Sequence, residues 1–148
     1  MLGQSNMAMG DFANAQYSFV QVKRLSTDPR LLAPSLFQEG ISLYHLGRFK
    51  SSVESFSGFL QQFPHDPRVA EGYVWKGEAL YQDGRFAEAE RAYSDAVRLF
   101  PNVPGRSDAS YGLAWSLFEQ KKFYFLCLDT KKVRKKNHNK PEGVCLTL

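Results

Sequence analysis

The sequence feature that most constrains the fold is an internal repeat at a shift of 37 residues. The stretch GISLYHLGRF from Gly40 aligns without gaps with GEALYQDGRF from Gly77, and backwards with GQSNMAMGDF from Gly3. Forwards, the alignment reaches AWSLFEQKKF from Ala114. Self-similarity at one fixed period is typical of a solenoid, in which each unit packs on its neighbours.

The best-preserved unit, residues 70–101, has the pattern of two helices joined by a turn. Gly84 can take the left-handed conformation that ends a helix, and Pro101 cannot continue one. Gly77 and Ala89 are small where the two antiparallel helices must approach closely. Apolar residues at helical spacing form one stripe on each helix: Tyr73, Leu80 and Tyr81 on the first, and Phe86, Tyr93, Ala96, Val97 and Phe100 on the second.

The same pattern predicts the helices of the other units. The predicted spans are residues 2–9, 12–25, 29–46, 49–63, 67–83 and 86–100, with a seventh helix from a cap at Ser107 to about Lys121. Asp28-Pro29 and Asp66-Pro67 each combine an N-cap acceptor with a proline suited to the first helical position. Beyond Lys121 we expect a short helical continuation through Val133 and then a disordered end.

These residues resemble the tetratricopeptide repeat, whose pattern places a small residue, an aromatic, alanines and a proline over a helical hairpin. The family implies an all-α superhelix, here of about three and a half stacked hairpins, whose period exceeds the usual roughly 34 residues by about three. The Phe-Pro-x-x-Pro linkers resemble the long-linker repeats of bacterial cell-envelope assembly proteins. Three units carry the resemblance: Gly77, Leu80, Ala89, Tyr93, Ala96 and Pro101; Gly40, Leu43, Ser52, Phe56, Phe59 and Pro64; and, in part, Gly3, Ala15 and Phe19.

Charge divides the chain at the end of the repeats. Residues 1–120 hold 11 basic and 13 acidic side chains, a net charge of −2, whereas residues 121–148 hold 8 and 2, a net charge of +6. We therefore expect two parts, a repeat array over residues 1–123 and a basic, partly disordered tail over residues 124–148. Both cysteines, Cys127 and Cys145, lie in the tail and do not form a disulfide framework.

No arrangement of residues in the sequence predicts catalysis or metal binding. His45, His65 and His138 lie far apart, without a histidine or cysteine at ligand spacing. The glutamates around Glu78 and Glu88 are typical of a solvated helix face. We therefore expect a protein that is not an enzyme, with no catalytic residues, no metal, no cofactor and no small-molecule substrate.

The resemblance also implies a binding surface, because the first helices of tetratricopeptide repeats line the concave side of the array. We name the corresponding positions the first-helix face. Aromatic residues at this density favour a partner-binding surface, although Tyr44, Tyr81 and Phe118 could instead pack on the next repeat. The predicted partner-binding residues are Phe37, Ile41, Tyr44 and His45 in repeat two, Val74, Glu78 and Tyr81 in repeat three, and Tyr111, Trp115 and Phe118 in repeat four.

The predicted function is a non-catalytic scaffold that binds a peptide or a partner helix on its concave face. One alternative is a structural subunit of a bacterial envelope assembly that docks, or self-associates, through exposed array ends. Another is binding of the basic tail, Lys131 to Lys136, to nucleic acid or an anionic membrane. Because no signal peptide or transmembrane segment is visible, we expect a soluble protein of the cytoplasm or of the periplasm and envelope.

Overall fold

The computed structural model describes residues 2–100 and 109–121, and these residues form helices joined by short turns and linkers. The helices are α1 (Leu2–Ala8), α2 (Phe12–Leu25), α3 (Pro29–His45), α4 (Phe49–Gln62), α5 (Val69–Gln82) and α6 (Phe86–Leu99). A further helix, α7, covers residues 109–121. Each helix packs on the next along the chain, which confirms the predicted all-α array of helical hairpins.

One turn geometry closes all three hairpins. Gly10, Gly47 and Gly84 have φ values of +76°, +70° and +77°. In the third hairpin the Gly84 N–H donates to the Tyr81 carbonyl at 3.0 Å, and the Arg85 N–H donates to the Leu80 carbonyl at 2.9 Å. This pair of bonds satisfies carbonyls that the helix end would leave free, and the left-handed residue between them favours glycine. The predicted role of Gly84 is therefore confirmed.

The predicted start of α5 at Pro67 is wrong, whereas the start of α3 at Pro29 is confirmed. In α3 the Asp28 carbonyl accepts from the Leu32 N–H at 2.9 Å, the four-residue spacing of an α-helix. The Asp28 carbonyl also accepts from the Leu31 N–H at 3.0 Å. The Asp66 carbonyl accepts from the Val69 N–H, three residues on, and α5 begins only at Val69. The first helices of repeats two and three differ in length, since α3 has 17 residues and α5 has 14.

Within each hairpin an aromatic ring of the second helix lies against a glycine of the first. A Cβ built on Gly77 would lie 2.8 Å from the Tyr93 ring. The same distance separates a Cβ on Gly40 from the Phe56 ring. The residue opposite Gly77 is thus Tyr93 rather than the predicted Ala89, because the ring extends across the gap between the two helices.

Two predicted features fall outside the described residues. They are the Ser107 cap and all that was expected beyond residue 121, including the basic tail. The division of the chain at residue 123 stays a prediction. Among the described helices, none has the length and apolar character needed to cross a bilayer.

Candidate functional site

In repeat two, contacts with neighbouring helices occupy most of the first-helix face. Phe37 is only 2% exposed, so its side chain presents almost no surface to a partner. Its ring packs edge-on against Phe56 and Phe59 of α4, and the Arg68 guanidinium lies 5.5 Å from its centroid. A bidentate pair with Asp66, at 2.8 and 2.7 Å, holds Arg68 in that position.

The other residues of this face in repeat two are engaged with neighbouring helices. Ile41 is half-buried against the core of repeat two. The exposed ring of His45 stacks on Phe12 of the preceding repeat, with centroids 4.3 Å apart. Tyr44 packs edge-on against Trp75 of the next repeat, which is the alternative that the sequence left open for it.

A hydrogen-bonded cluster in repeat three joins three helices. The Glu78 carboxylate accepts from the Tyr44 hydroxyl of α3 at 3.1 Å and from the Tyr93 hydroxyl of α6 at 2.8 Å. Gln82 donates to the same carboxylate at 3.1 Å. Burial and the Glu78 charge raise the pKa of Tyr44 to about 12, and the same two causes raise the pKa of Tyr93. Glu78 therefore links repeats two and three instead of presenting a free charge.

The remaining predicted residues of repeat three are half-buried. Val74 packs against the core formed by Leu80, Ala89 and Tyr93. Tyr81 packs edge-on against Phe86 of its own repeat, with centroids 5.3 Å apart. Burial and the Glu119 charge raise the pKa of Tyr81.

The three predicted residues of repeat four are exposed and form one aromatic surface. Tyr111 is 65% exposed, Trp115 40% and Phe118 55%. Trp115 makes edge contacts with both of the others, at centroid separations of 6.0 and 5.6 Å. A shallow cavity of about 250 Å³ lies between these rings and Ala114.

The opposite side of α7 fixes this helix to the array. Ala109 and Leu113 pack against the core of repeat three, and a Cβ on Gly112 would lie 2.4 Å from the Tyr93 ring. Gln120 donates to the Glu90 carboxylate at 2.7 Å and to the Phe86 carbonyl at 3.3 Å. The exposed aromatic surface thus stands on a helix that the array holds in place.

A second cavity lies between repeats one and two. It has a volume of about 610 Å³ and is lined by α1, α2 and α3, including Phe19, Leu31 and Gln38. Gln38 occupies the position that Trp75 holds one repeat later, where the indole stacks on Phe56 at 6.4 Å. The smaller side chain accounts for part of this space.

Comparison with known families agrees with the repeat architecture. A family model described as tetratricopeptide repeat matches residues 37–104 and, again, residues 84–123. The chain belongs to the tetratricopeptide repeat family. A search of curated protein sequences gives no significant match.

Tetratricopeptide repeats generally mediate protein–protein interaction and are typically non-catalytic. This membership makes the aromatic surface on α7 a candidate contact with a partner protein. In the described part of the chain, no group of three or more His, Cys, Asp and Glu side chains has an arrangement that could hold a metal ion.

Sequence reasoning missed two residues at the edge of this surface. Ala114 and Leu117 are exposed in this tetratricopeptide repeat protein, although the equivalent residues of repeats two and three are buried. A signal for them was present in the sequence. Leu126 and Thr130 stand where α4 and α6 carry a small residue and an aromatic, so the sequence that follows α7 departs from the repeat pattern.

Proposed function

We propose that this protein is a non-catalytic interaction scaffold that binds a peptide or helix of another protein at the aromatic surface of repeat four. The observation that carries the proposal is the joint exposure of Tyr111, Trp115 and Phe118 on one face of α7. Clustered aromatic side chains supply much contact area at a low cost in side-chain entropy, and they are enriched among residues that dominate binding energy.

The difference between repeats supports placing the site at repeat four. In repeat two the same face is filled by Phe37, Tyr44 and His45, which already contact rings of neighbouring helices. In repeat three Glu78 is engaged by two tyrosine hydroxyls. A partner would have to displace these contacts, whereas on α7 it would cover apolar surface that is now open to water.

The chemistry of the surface indicates an apolar anchor in the partner. The cavity beside Trp115 is lined by Tyr111, Ala114, Trp115 and Phe118. Tyr81 and the Glu119 carboxylate lie close enough to interact electrostatically, so polar contacts can form at the edge of the apolar surface. We expect a partner segment that inserts large apolar side chains and places polar groups towards α5.

Truncation of the aromatic anchors tests the proposal. Trp115→Ala and Phe118→Ala should each weaken binding by roughly thirtyfold or more, because loss of such an anchor costs about 2 kcal/mol and about 1.4 kcal/mol is a factor of ten. Proteins retained from a lysate by the immobilised wild-type chain would first be identified by mass spectrometry. Dissociation constants of each purified candidate would then be measured by calorimetry.

Two controls show whether a loss of binding is specific to the aromatic surface. Arg91→Ala changes an exposed side chain of α6 and should leave the affinity unchanged. Each variant must also unfold near the temperature of the wild type, since otherwise lost binding reports lost fold. If both aromatics can be removed without loss of affinity while the fold holds, docking through the ends of the array becomes the better account.

A further inference from the structure

Helix α7 is apolar on two sides, of which only one is packed. The packed side carries Ala109 and Leu113, which pack against the core of repeat three, and the fully buried Ser116. The second side, which we name the open side of α7, carries Tyr111, Ala114, Leu117 and Phe118 at helical spacing. The apolar side of a helix is normally packed against other parts of a protein.

The repeat identifies what covers the equivalent side elsewhere. Leu117 is 41% exposed, whereas its equivalents Leu43 and Leu80 are 5% and 1% exposed. Leu80 lies in a core cluster with Ala89, Ala92 and Tyr93 of α6, the second helix of its hairpin. The equivalents of Ala114 are Gly40 and Gly77, which lie against the rings of Phe56 and Tyr93. The cover is therefore an antiparallel helix in each complete hairpin.

After α3 and α5, a turn leads the chain back into the helix that covers them. Helix α7 has no turn at the equivalent position. Gly47 and Gly84 take left-handed conformations directly after α3 and α5. Their equivalent is Lys121, which is still helical. A side chain with a Cβ is disfavoured in the left-handed region, so lysine does not favour this turn. Helix α7 continues past the point at which the other first helices end.

We propose that an amphipathic helix of a partner protein packs antiparallel on the open side of α7 and completes the fourth hairpin between two chains. This inference rests on the proposed function and specifies the element that the partner supplies. The partner helix should carry the stripe that α4 and α6 share, with side chains facing α7 at positions i, i+3, i+7 and i+10. In α6 these are Phe86, Ala89, Tyr93 and Ala96.

Ala114 sets the specificity of this contact. A Cβ at Gly40 or Gly77 would lie 2.8 Å from the aromatic ring at position i+7, closer than atoms in van der Waals contact. Ala114 carries such a Cβ where those residues are glycine. The partner helix must therefore have a small side chain at i+7 in place of an aromatic ring.

Two peptides and one substitution test this geometry. The first peptide has the sequence of residues 86–100, and the second is identical except for alanine at the position of Tyr93. Both are stapled across the positions of the exposed Ser94 and Arg98, because free helices of this length are marginal in water. Binding of each labelled peptide to the full chain is measured by fluorescence anisotropy.

We expect the wild-type chain and the Ala114→Gly variant to prefer different peptides. The wild-type chain should bind the alanine peptide at least about fivefold more tightly, the lower end of what overpacking costs. Ala114→Gly should reverse the order, since the ring can then lie on the helix as it does at Gly77. Leu117→Asp and, independently, Phe118→Ser should abolish binding of both peptides, with circular dichroism checking that each variant stays folded.

Other occupants of the open side give distinguishable results that overturn the inference. If residues 122–148 of the same chain cover it, neither peptide binds and Leu117→Asp lowers the melting temperature. If a second copy covers it, the chain associates at increasing concentration and Leu117→Asp restores a monomer. The inference is also overturned if the wild-type chain and Ala114→Gly both prefer the same peptide. In each case the proposed function stands if Trp115→Ala still weakens binding of the native partner.

Discussion

At the scale of single residues, Tyr93 is the most constrained side chain of the array. Its ring lies between Gly77 of its own repeat and Gly112 of the next, and its hydroxyl donates to Glu78. The side chain is 1% exposed, so it cannot move into solvent to relieve a clash. Because neither glycine has a side chain, α5 and α7 can both approach the Tyr93 ring closely, one from each side.

Alanine substitutions at two helical glycines should therefore change stability in opposite directions. Gly77→Ala should lower the free energy of unfolding by up to about 2 kcal/mol, because overpacking outweighs the gain in helix propensity. Gly58→Ala should raise it by about 0.5–1 kcal/mol, since the nearest atom to a new Cβ there is 3.7 Å away. Urea denaturation measures both, and stabilisation by Gly77→Ala would contradict the packing described.

The predicted site residues differ in their exposure, even where they occupy equivalent positions of the repeat. Phe37, Val74 and Tyr111 occupy equivalent positions, yet Phe37 is buried and Tyr111 is exposed. Arg68, which lies 31 positions further along the chain and is paired with Asp66, contacts the Phe37 ring. Helix periodicity carries no information on such a contact. It therefore predicted a face of the helix but not which of its members the neighbouring elements would cover.

At the scale of helices, local chemistry explains why most boundaries could be predicted. The turn glycines and the apolar spacing are both encoded within a few residues, and they placed α2 at Phe12–Leu25, as observed. The start of α5 could not be predicted in the same way. Asp28-Pro29-Arg30 and Asp66-Pro67-Arg68 have the same sequence pattern, but only the first opens a helix directly.

The contact between α3, α5 and α6 at Glu78 gives a dependence on alkaline pH. The pKa of Tyr44 is raised from 10.0 to about 12 in the folded state, which means that folding favours the protonated phenol. This contribution to stability is complete below about pH 10, the unfolded value, and is lost as the pH rises through about 12. The melting temperature should fall over that window.

Glu78→Gln should make this fall smaller, because it removes the charge that opposes tyrosine ionisation, although burial of Tyr44 remains. The effect is measured as melting temperatures between about pH 9 and about pH 12, a range that includes the unfolded and the folded pKa of Tyr44. Glu54→Gln, an exposed glutamate of α4, is the matched control and should follow the wild type. Identical curves for Glu78→Gln and the wild type would exclude a role of Glu78 in the Tyr44 pKa.

At the scale of the molecule, stability should be uneven along the array. Helices α3 to α6 contribute most of the buried core. Helix α1 has seven residues and packs on α2. In a solenoid, stability arises from contacts between neighbouring units, so the best-packed units unfold last.

Hydrogen exchange should therefore find its slowest amides in α3 to α6. The amides of α1 and α7 should exchange faster by at least about tenfold, because regions with fewer packed neighbours open at a lower free energy. Mass spectrometry of proteolytic fragments resolves these helices. Equal protection from α1 through α7 would contradict the expected gradient.

The left-handed glycines divide the chain into blocks that can be duplicated. A second copy of residues 47–83, inserted before Gly84, would begin and end at the same turn geometry. The one new hairpin would pair α5 with the copied α4, so that Gly77 would meet a phenylalanine ring as Gly40 does. Tyr81 stands at the position of Tyr44 and could donate to the copied Glu78. The array can thus grow by one hairpin from sequence that it already contains.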